Sequence, residues 1–161
     1  MKAAIIMGSD SDWPILKPAV DILKSFGIEA EVVVASAHRT PGKVRDFVLT
    51  APEKGISVFI VAAGAAAHLA GVVASYTTLP VIGVPINATA LNGMDALLST
   101  VQMPSGVPVA TMAINGAKNA AIFAVQIFAV GNAELAGKLA AYREKMVEEV
   151  EKKAARVAAQ L

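Results

Sequence analysis

The sequence predicts an α/β protein built on a three-layer, doubly wound parallel sheet, and three observations carry that prediction. Short continuous apolar runs, such as Ala3-Ala4-Ile5-Ile6-Met7, alternate with segments whose apolar residues recur at helical spacing. The runs are followed by glycine or polar loops, as strands covered on both faces are. The 161 residues suffice for one domain with a single core.

The first strand is Ala3–Met7, ending at Gly8. After the loop Gly8–Asp12, the residues Ile15, Leu16, Ala19, Val20, Ile22, Leu23 and Phe26 mark a helix, with Asp12 expected as N-cap, Pro14 in the first turn and Gly27 as the stop. The alternation then repeats: strand Glu31–Ala35, a helix from Pro41 to Lys54 that Thr40 is expected to cap, strand Ser57–Ala63, a short helix from Ala66 to Tyr76, and strand Val81–Val84. A helix over Asn92–Val101 and the proline-rich turn Met103–Pro108 lead to a fifth strand, Val109–Ile114. Lys118–Val130 is apolar nearly all round and is expected to be a buried helix. Right-handed crossovers between these strands imply a flavodoxin-like order.

The last segment, Ala133–Leu161, is a long amphipathic helix with a narrow stripe of Leu135, Leu139, Tyr142, Met146, Val150 and Val157. Two uses of that stripe are open: packing on another subunit, or packing back on its own sheet. The expected organisation is a single domain, 1–161, with a parallel α/β core over 1–131 and a C-terminal helix over 132–161 that reaches a neighbouring subunit.

Composition excludes several classes of function. Fourteen basic and 13 acidic residues give a net charge of +1, and aromatics are 5%, which argues against a nucleic-acid surface of basic patches and stacking rings. Mean hydropathy is high at +0.58 and 55% of residues are hydrophobic, yet no run of about 18 apolar residues is uninterrupted, so no membrane span is expected. The apolar excess points instead to subunit interfaces. With no cysteine and two distant histidines, thiol chemistry is absent and no metal site is expected. Met1-Lys2-Ala3 runs straight into a strand, from which a cytoplasmic location is expected.

Three loops follow the carboxyl ends of predicted strands, where an open parallel sheet binds ligands. Gly8-Ser9-Asp10-Ser11-Asp12 offers a close-approach glycine, hydroxyls and free amides to a phosphate or ribose, or it is an ordinary capped turn. In Ser36-Ala37-His38-Arg39-Thr40-Pro41, Arg39 has the fork that clamps phosphate and His38 can carry a proton near neutrality; the alternative is a surface loop whose arginine pairs with an acid. Ala63-Gly64-Ala65-Ala66-Ala67-His68-Leu69 brings only backbone amides, a small apolar pocket and His68, which by itself is as readily structural. Neither dinucleotide nor nucleoside-triphosphate glycine motifs occur, and Ser9 lacks a nucleophile elbow. Cofactor-free acid–base chemistry on a small phosphorylated molecule remains.

Through these loops, together with Leu79-Pro80-Val81-Ile82-Gly83-Val84-Pro85, Val101-Gln102-Met103-Pro104-Ser105-Gly106-Val107-Pro108-Val109 and Ala117-Lys118-Asn119-Ala120, nearly the whole chain resembles the class I N5-carboxyaminoimidazole ribonucleotide mutases of purine biosynthesis. The resemblance implies a cytoplasmic homo-octamer with sites shared between subunits, no cofactor, and a small nucleotide substrate. It implies His38 as general acid and base, with Gly8, Ser9, Asp12, Ser36, Ala37, Arg39, Gly64, His68 and Leu69 binding substrate. Two alternatives stand beside it. One is direct carboxylation of aminoimidazole ribonucleotide by carbon dioxide, although that related class carries lysine in place of Arg39. The other is a weakened oligomeric scaffold.

That last alternative comes from the alanine-rich, charge-balanced tail and from one departure. Where the family reads Gly-Ala-Gly-Gly-Ala-Ala-His-Leu-Pro-Gly, this chain has alanine at Ala62, Ala65 and Ala70. An alanine held at positive φ at position 65 would cost about 1 kcal/mol.

Overall fold

Strands buried on both faces need apolar side chains on both, and β1 (Lys2–Met7) meets that demand: Ala3 to Met7 are all buried in the computed structural model, which describes residues 1–160. Five strands, β1, β2 (Glu29–Val34), β3 (Ile56–Gly64), β4 (Val81–Ile86) and β5 (Ala110–Thr111), form one parallel sheet in the order β2-β1-β3-β4-β5. That is the flavodoxin-like order. The helices are α1 (Trp13–Ser25), α2 (Pro41–Thr50), α3 (Leu69–Ser75), α4 (Met94–Val101), α5 (Ala117–Ala129) and α6 (Ala133–Ala158). Leu161, the last residue of the expected C-terminal helix, lies outside the described residues.

Alternation along β1 and β3 divides the core in two. Ala4 and Ile6 sit in register with Phe59 and Val61, and this face packs against Val44 and Val48 of α2 and Leu69 and Val73 of α3. The opposite face carries Ala3, Ile5, Val58 and Ile60, all fully buried. The chain leaves β1 to one side for β2 and returns past it to β3, so right-handed crossovers put α1 on the second face and α2 and α3 on the first. The reversal of direction at β1 opens a crevice at the carboxyl ends of β1 and β3.

Gly27 stops α1 as expected, through a left-handed residue at φ +77° whose N–H donates to the Lys24 carbonyl while Ile28 N–H donates to the Leu23 carbonyl. The two expected caps are different. Asp12 has helical φ and ψ and makes no capping bond, because a 3-10 turn over Asp10–Asp12 runs directly into α1 and Ser9 caps that turn instead. Thr40 stands at the N-cap of α2, but its hydroxyl is taken by the Ser36 backbone, accepting from Ser36 N–H at 2.8 Å and donating to Ser36 O at 3.1 Å. Helix α2 ends at Thr50, and Pro52–Lys54 form a separate 3-10 turn.

The fifth strand is shorter than Val109–Ile114. Pro85 carries the reason: its carbonyl accepts from Asn115 N–H, so its ring nitrogen also faces the β5 side, where it has no hydrogen to give. The ladder stops at the pair Gly83 and Thr111.

Contacts divide the chain into two compact units, Met1–Ala124 and the segment from Val125. The boundary falls inside α5. That helix is not wholly buried as its composition suggested: Ala120, Ala121, Ala124 and Val125 are buried, while Ile122, Phe123, Ile127 and Phe128 are only half covered. In α6 the stripe splits. Leu135 is buried, whereas Met146, Val150 and Val157 are exposed. No helix among the described residues is long and apolar enough to cross a membrane.

Candidate active site

Three loops at the carboxyl edge of the sheet surround one cavity of about 360 Å³. From the loop after β1 it is lined by Gly8, Ser9, Ser11 and Asp12; from the loop after β2 by Ser36, Ala37, His38 and Arg39. The segment after β3 adds Ala63 to Ala66 and Leu69. Of the residues that the sequence pointed to, all line the cavity except His68, whose ring instead touches His38.

The first loop is held by its own hydroxyls. Ser9 Oγ accepts from Ser11 N–H at 3.3 Å, and Ser11 Oγ lies 2.9 Å from Ser9 Oγ and 3.5 Å from an Asp12 carboxylate oxygen. Asp12 is only 6% exposed, and burial pushes its carboxyl above the ordinary aspartate value. Hydrogen bonds from the Ser9 amide and Ser11 hydroxyl oppose that rise, and the nearby Asp10 carboxylate adds to it. The sign of the linkage follows. Between the unfolded and the raised folded value the native state binds more protons, so this group lowers stability as pH rises through that window. Asp12→Asn removes that loss. The stability of the variant relative to the parent, from urea unfolding, is expected to rise as pH increases from about 3 through the carboxylate range and then level off; a flat or falling difference would refute it.

The second loop is a tight turn in which Ser36 Oγ accepts from Arg39 N–H at 3.2 Å and Ser36 O accepts from Thr40 N–H at 2.9 Å. The turn throws His38 and Arg39 to the same side. Arg39 Nη2 donates to the Gly8 carbonyl at 3.1 Å, which ties the second loop to the first and leaves the rest of the guanidinium toward the cavity. Lys43, one turn into α2, donates to the Val34 carbonyl at 2.8 Å and so is directed away from this group.

The third loop supplies shape. His38 Nε2 and His68 Nδ1 are 2.9 Å apart, with the rings edge to face at 81°. One of the facing nitrogens must donate and the other accept, so a single N–H bridges the two rings. Gly64 is a glycine of necessity: a Cβ there would lie 2.6 Å from Ala88 Cβ and 3.3 Å from Ile86 O. Ala88, which also lines the cavity, has no chemistry to announce it in the sequence. Its position just after β4, at the same edge as the other loops, was the available signal. Among the described residues no group of three or more His, Asp or Glu side chains converges to hold a metal.

A family model described as AIR carboxylase matches residues 2–149. The chain belongs to the AIR carboxylase family. It is 54% identical over 156 residues to the N5-carboxyaminoimidazole ribonucleotide mutase of Thermotoga maritima, covering 97% of this chain and 91% of that one. With the enzyme of the same name from Saccharolobus solfataricus it shares 55% over 149 residues, 92% and 94% of the two chains. The crystal structure of Treponema denticola PurE superposes with a TM-score of 0.85 at 28% identity, over 96% of this chain and 97% of that one.

Within this AIR carboxylase scaffold the three unusual alanines have different surroundings. Ala62 is fully buried in β3, paired with Met7 and Val84. Ala70 is the second residue of α3, where a backbone N–H has no intrahelical use and proline is tolerated. Ala65 is the strained one, with φ +54°. Ala65→Gly is expected to raise unfolding stability by about 0.5–1 kcal/mol, the left-handed penalty relieved less the entropy that glycine loses on folding. A urea midpoint that stays or falls would show that the loop holds alanine without strain.

Proposed function

We propose that this chain is an isomerase converting N5-carboxyaminoimidazole ribonucleotide into 4-carboxy-5-aminoimidazole ribonucleotide, with His38 as the general acid and base. The observation that carries the reading is the meeting of His38, Arg39 and the Ser9–Asp12 loop around one small cavity whose remaining wall is alanine and glycine. Arg39 and the amides of Gly8 and Ser9 bind the phosphate, and Asp12 accepts from the ribose hydroxyls. Ser36, Ala37, Gly64 and Leu69 enclose the imidazole, with His68 holding the His38 ring in place through its Nδ1 contact.

The reaction follows from those positions. Breaking the N5–carboxyl bond leaves an electron pair on nitrogen, which takes a proton from His38; carbon dioxide then bonds to C4, and the C4 proton returns to His38. Arginine at position 39 supports this route over direct carboxylation, which the resemblance associates with lysine there. A reaction that must retain carbon dioxide needs a closed chamber, and His38, Arg39 and His68 are exposed in the single chain. The chain therefore acts as a homo-oligomer, an octamer by resemblance, in which a neighbour completes the site. The uncovered stripe of Met146, Val150 and Val157 on α6, and that of Met94, Leu98 and Val101 along α4 with Leu91 in the turn before it, supply apolar surface for such contacts. The working compartment is the cytoplasm, and neither nucleic acid nor membrane takes part.

The test is turnover of the carbamate substrate by the purified protein in labelled bicarbonate. Product is expected to form faster than label enters it. Label entering as fast as product forms would replace this reading with direct carboxylation, and absence of turnover would leave the scaffold.

A further inference from the structure

Beyond Thr111 the β4 edge has lost its strand partner, and one side chain takes over the ladder. Asn115 N–H donates to the Pro85 carbonyl at 2.8 Å, and Asn115 Oδ1 accepts from Asn87 N–H at 2.9 Å. In a regular parallel pair the second bond would go to the same residue's backbone carbonyl. Asn115 has φ +58°, which swings that carbonyl out of line, and the side-chain amide oxygen stands in for it. Asparagine is one of the few residues that occupies this region readily.

The consequence falls on Ala88. Its predecessor Asn87 is pinned by Asn115, and its successor Thr89 is pinned to α4, where Thr89 Oγ1 donates to Asp95 Oδ2 at 2.8 Å and accepts from Leu91 N–H at 3.1 Å. Between these two anchors the Ala88 methyl is packed against the Cβ-less face of Gly64, and the two together line one side of the cavity, with Ala88 exposed at its rim in the single chain. A wall of this kind has no polar group to hold carbon dioxide. It can retain it only by staying in place.

We propose that Asn115 is a positioning residue that holds the Ala88 wall in place, so that carbon dioxide freed from the N5 carbamate remains beside C4. The proposal rests on the isomerase reading above. With the wall in place, the N5–carboxyl bond breaks, N5 takes the His38 proton, the C4–carboxyl bond forms and the C4 proton returns to His38. With the wall displaced, the first half proceeds and carbon dioxide escapes, so that one carbamate and one proton end as the free 5-amino compound and carbon dioxide.

The experiment measures, for the intact assembled protein given carbamate substrate, the ratio of free amine to C4-carboxylated product, corrected for loss without enzyme. Asn115→Gly accepts φ +58° but lacks the acceptor, and the ratio is expected to rise about tenfold, inside the hundredfold range that a displacement of about 1 Å can cause. Asn115→Asp keeps an oxygen at Oδ1 and is expected to stay within about twofold of the parent, consistent with recovery of the acceptor. Ala88→Gly removes the wall methyl without touching Asn115 and is expected to leak as well, which keeps the test decisive should Asn115→Gly fold poorly. Parental ratios in Asn115→Gly or Ala88→Gly, or equal leakage in Asn115→Asp and Asn115→Gly, would overturn the assignment. A parent protein that makes no C4-carboxylated product would instead overturn the isomerase reading, and this proposal with it.

Discussion

His38→Asn is expected to lower turnover of the carbamate by about 10²–10⁴-fold, the range over which a positioned proton donor and acceptor contributes. That corresponds to about 2.7–5.4 kcal/mol of barrier. Asparagine ends short of the imidazole Nε2 that meets His68, so the contact across the cavity is lost together with the proton carrier, since an amide cannot take up and return a proton. His38 is exposed on a turn whose backbone bonds run among Ser36, Arg39 and Thr40, and none of them uses the imidazole. Unfolding stability should therefore stay within about 0.5 kcal/mol of the parent. The check is kcat alongside a urea midpoint. Activity within a few-fold of the parent would move the proton transfer to another group, with His68 the nearest candidate at 2.9 Å.

Gly64→Ala should damage both stability and activity. The new Cβ would fall 2.6 Å from Ala88 Cβ and 3.3 Å from the Ile86 carbonyl oxygen, and neither neighbour is the far end of a flexible side chain. Backbone must move, either in β3 or in the loop after β4. Overpacking of this kind costs about 1–3 kcal/mol, and because the moving segments are cavity walls, kcat/KM is expected to fall by more than the stability loss alone would suggest. The double variant Gly64→Ala with Ala88→Gly exchanges the methyl across the same contact and should recover much of the lost stability. Additive losses in that cycle would show that the two positions do not meet in solution.

The two variants probe layers of the site that were unequally visible. The loops Gly8–Asp12, Ser36–Pro41 and Gly64–Leu69 declared themselves, because polar residues and glycine behind a continuous apolar run mark the carboxyl end of a buried strand wherever the fold is parallel. The caps did not read correctly. Asp12 and Thr40 have the right residue type one position before a helix, but a cap needs a free side chain and, at Asp12, an extended backbone, and the surrounding turn removed one or the other. Ala88 and Asn115 gave no signal of their own, one having no chemistry and the other lying just past the end of the expected strand Val109–Ile114.

The run of β1, the Schellman stop at Gly27 and the order of alternating elements are local properties of hydrophobic period and backbone freedom, and the sequence alone determined them. Through its motifs it also placed His38 and Arg39 beside each other on one loop. What it could not decide is which groups meet across 30 or 28 residues of chain: His38 with His68, and Asn87 with Asn115. Those contacts depend on strand order and register, and on a proline in β4 that ends the ladder early. Pairwise geometry of that kind is set by how the sheet closes its hydrogen bonds, and only the folded chain contains it.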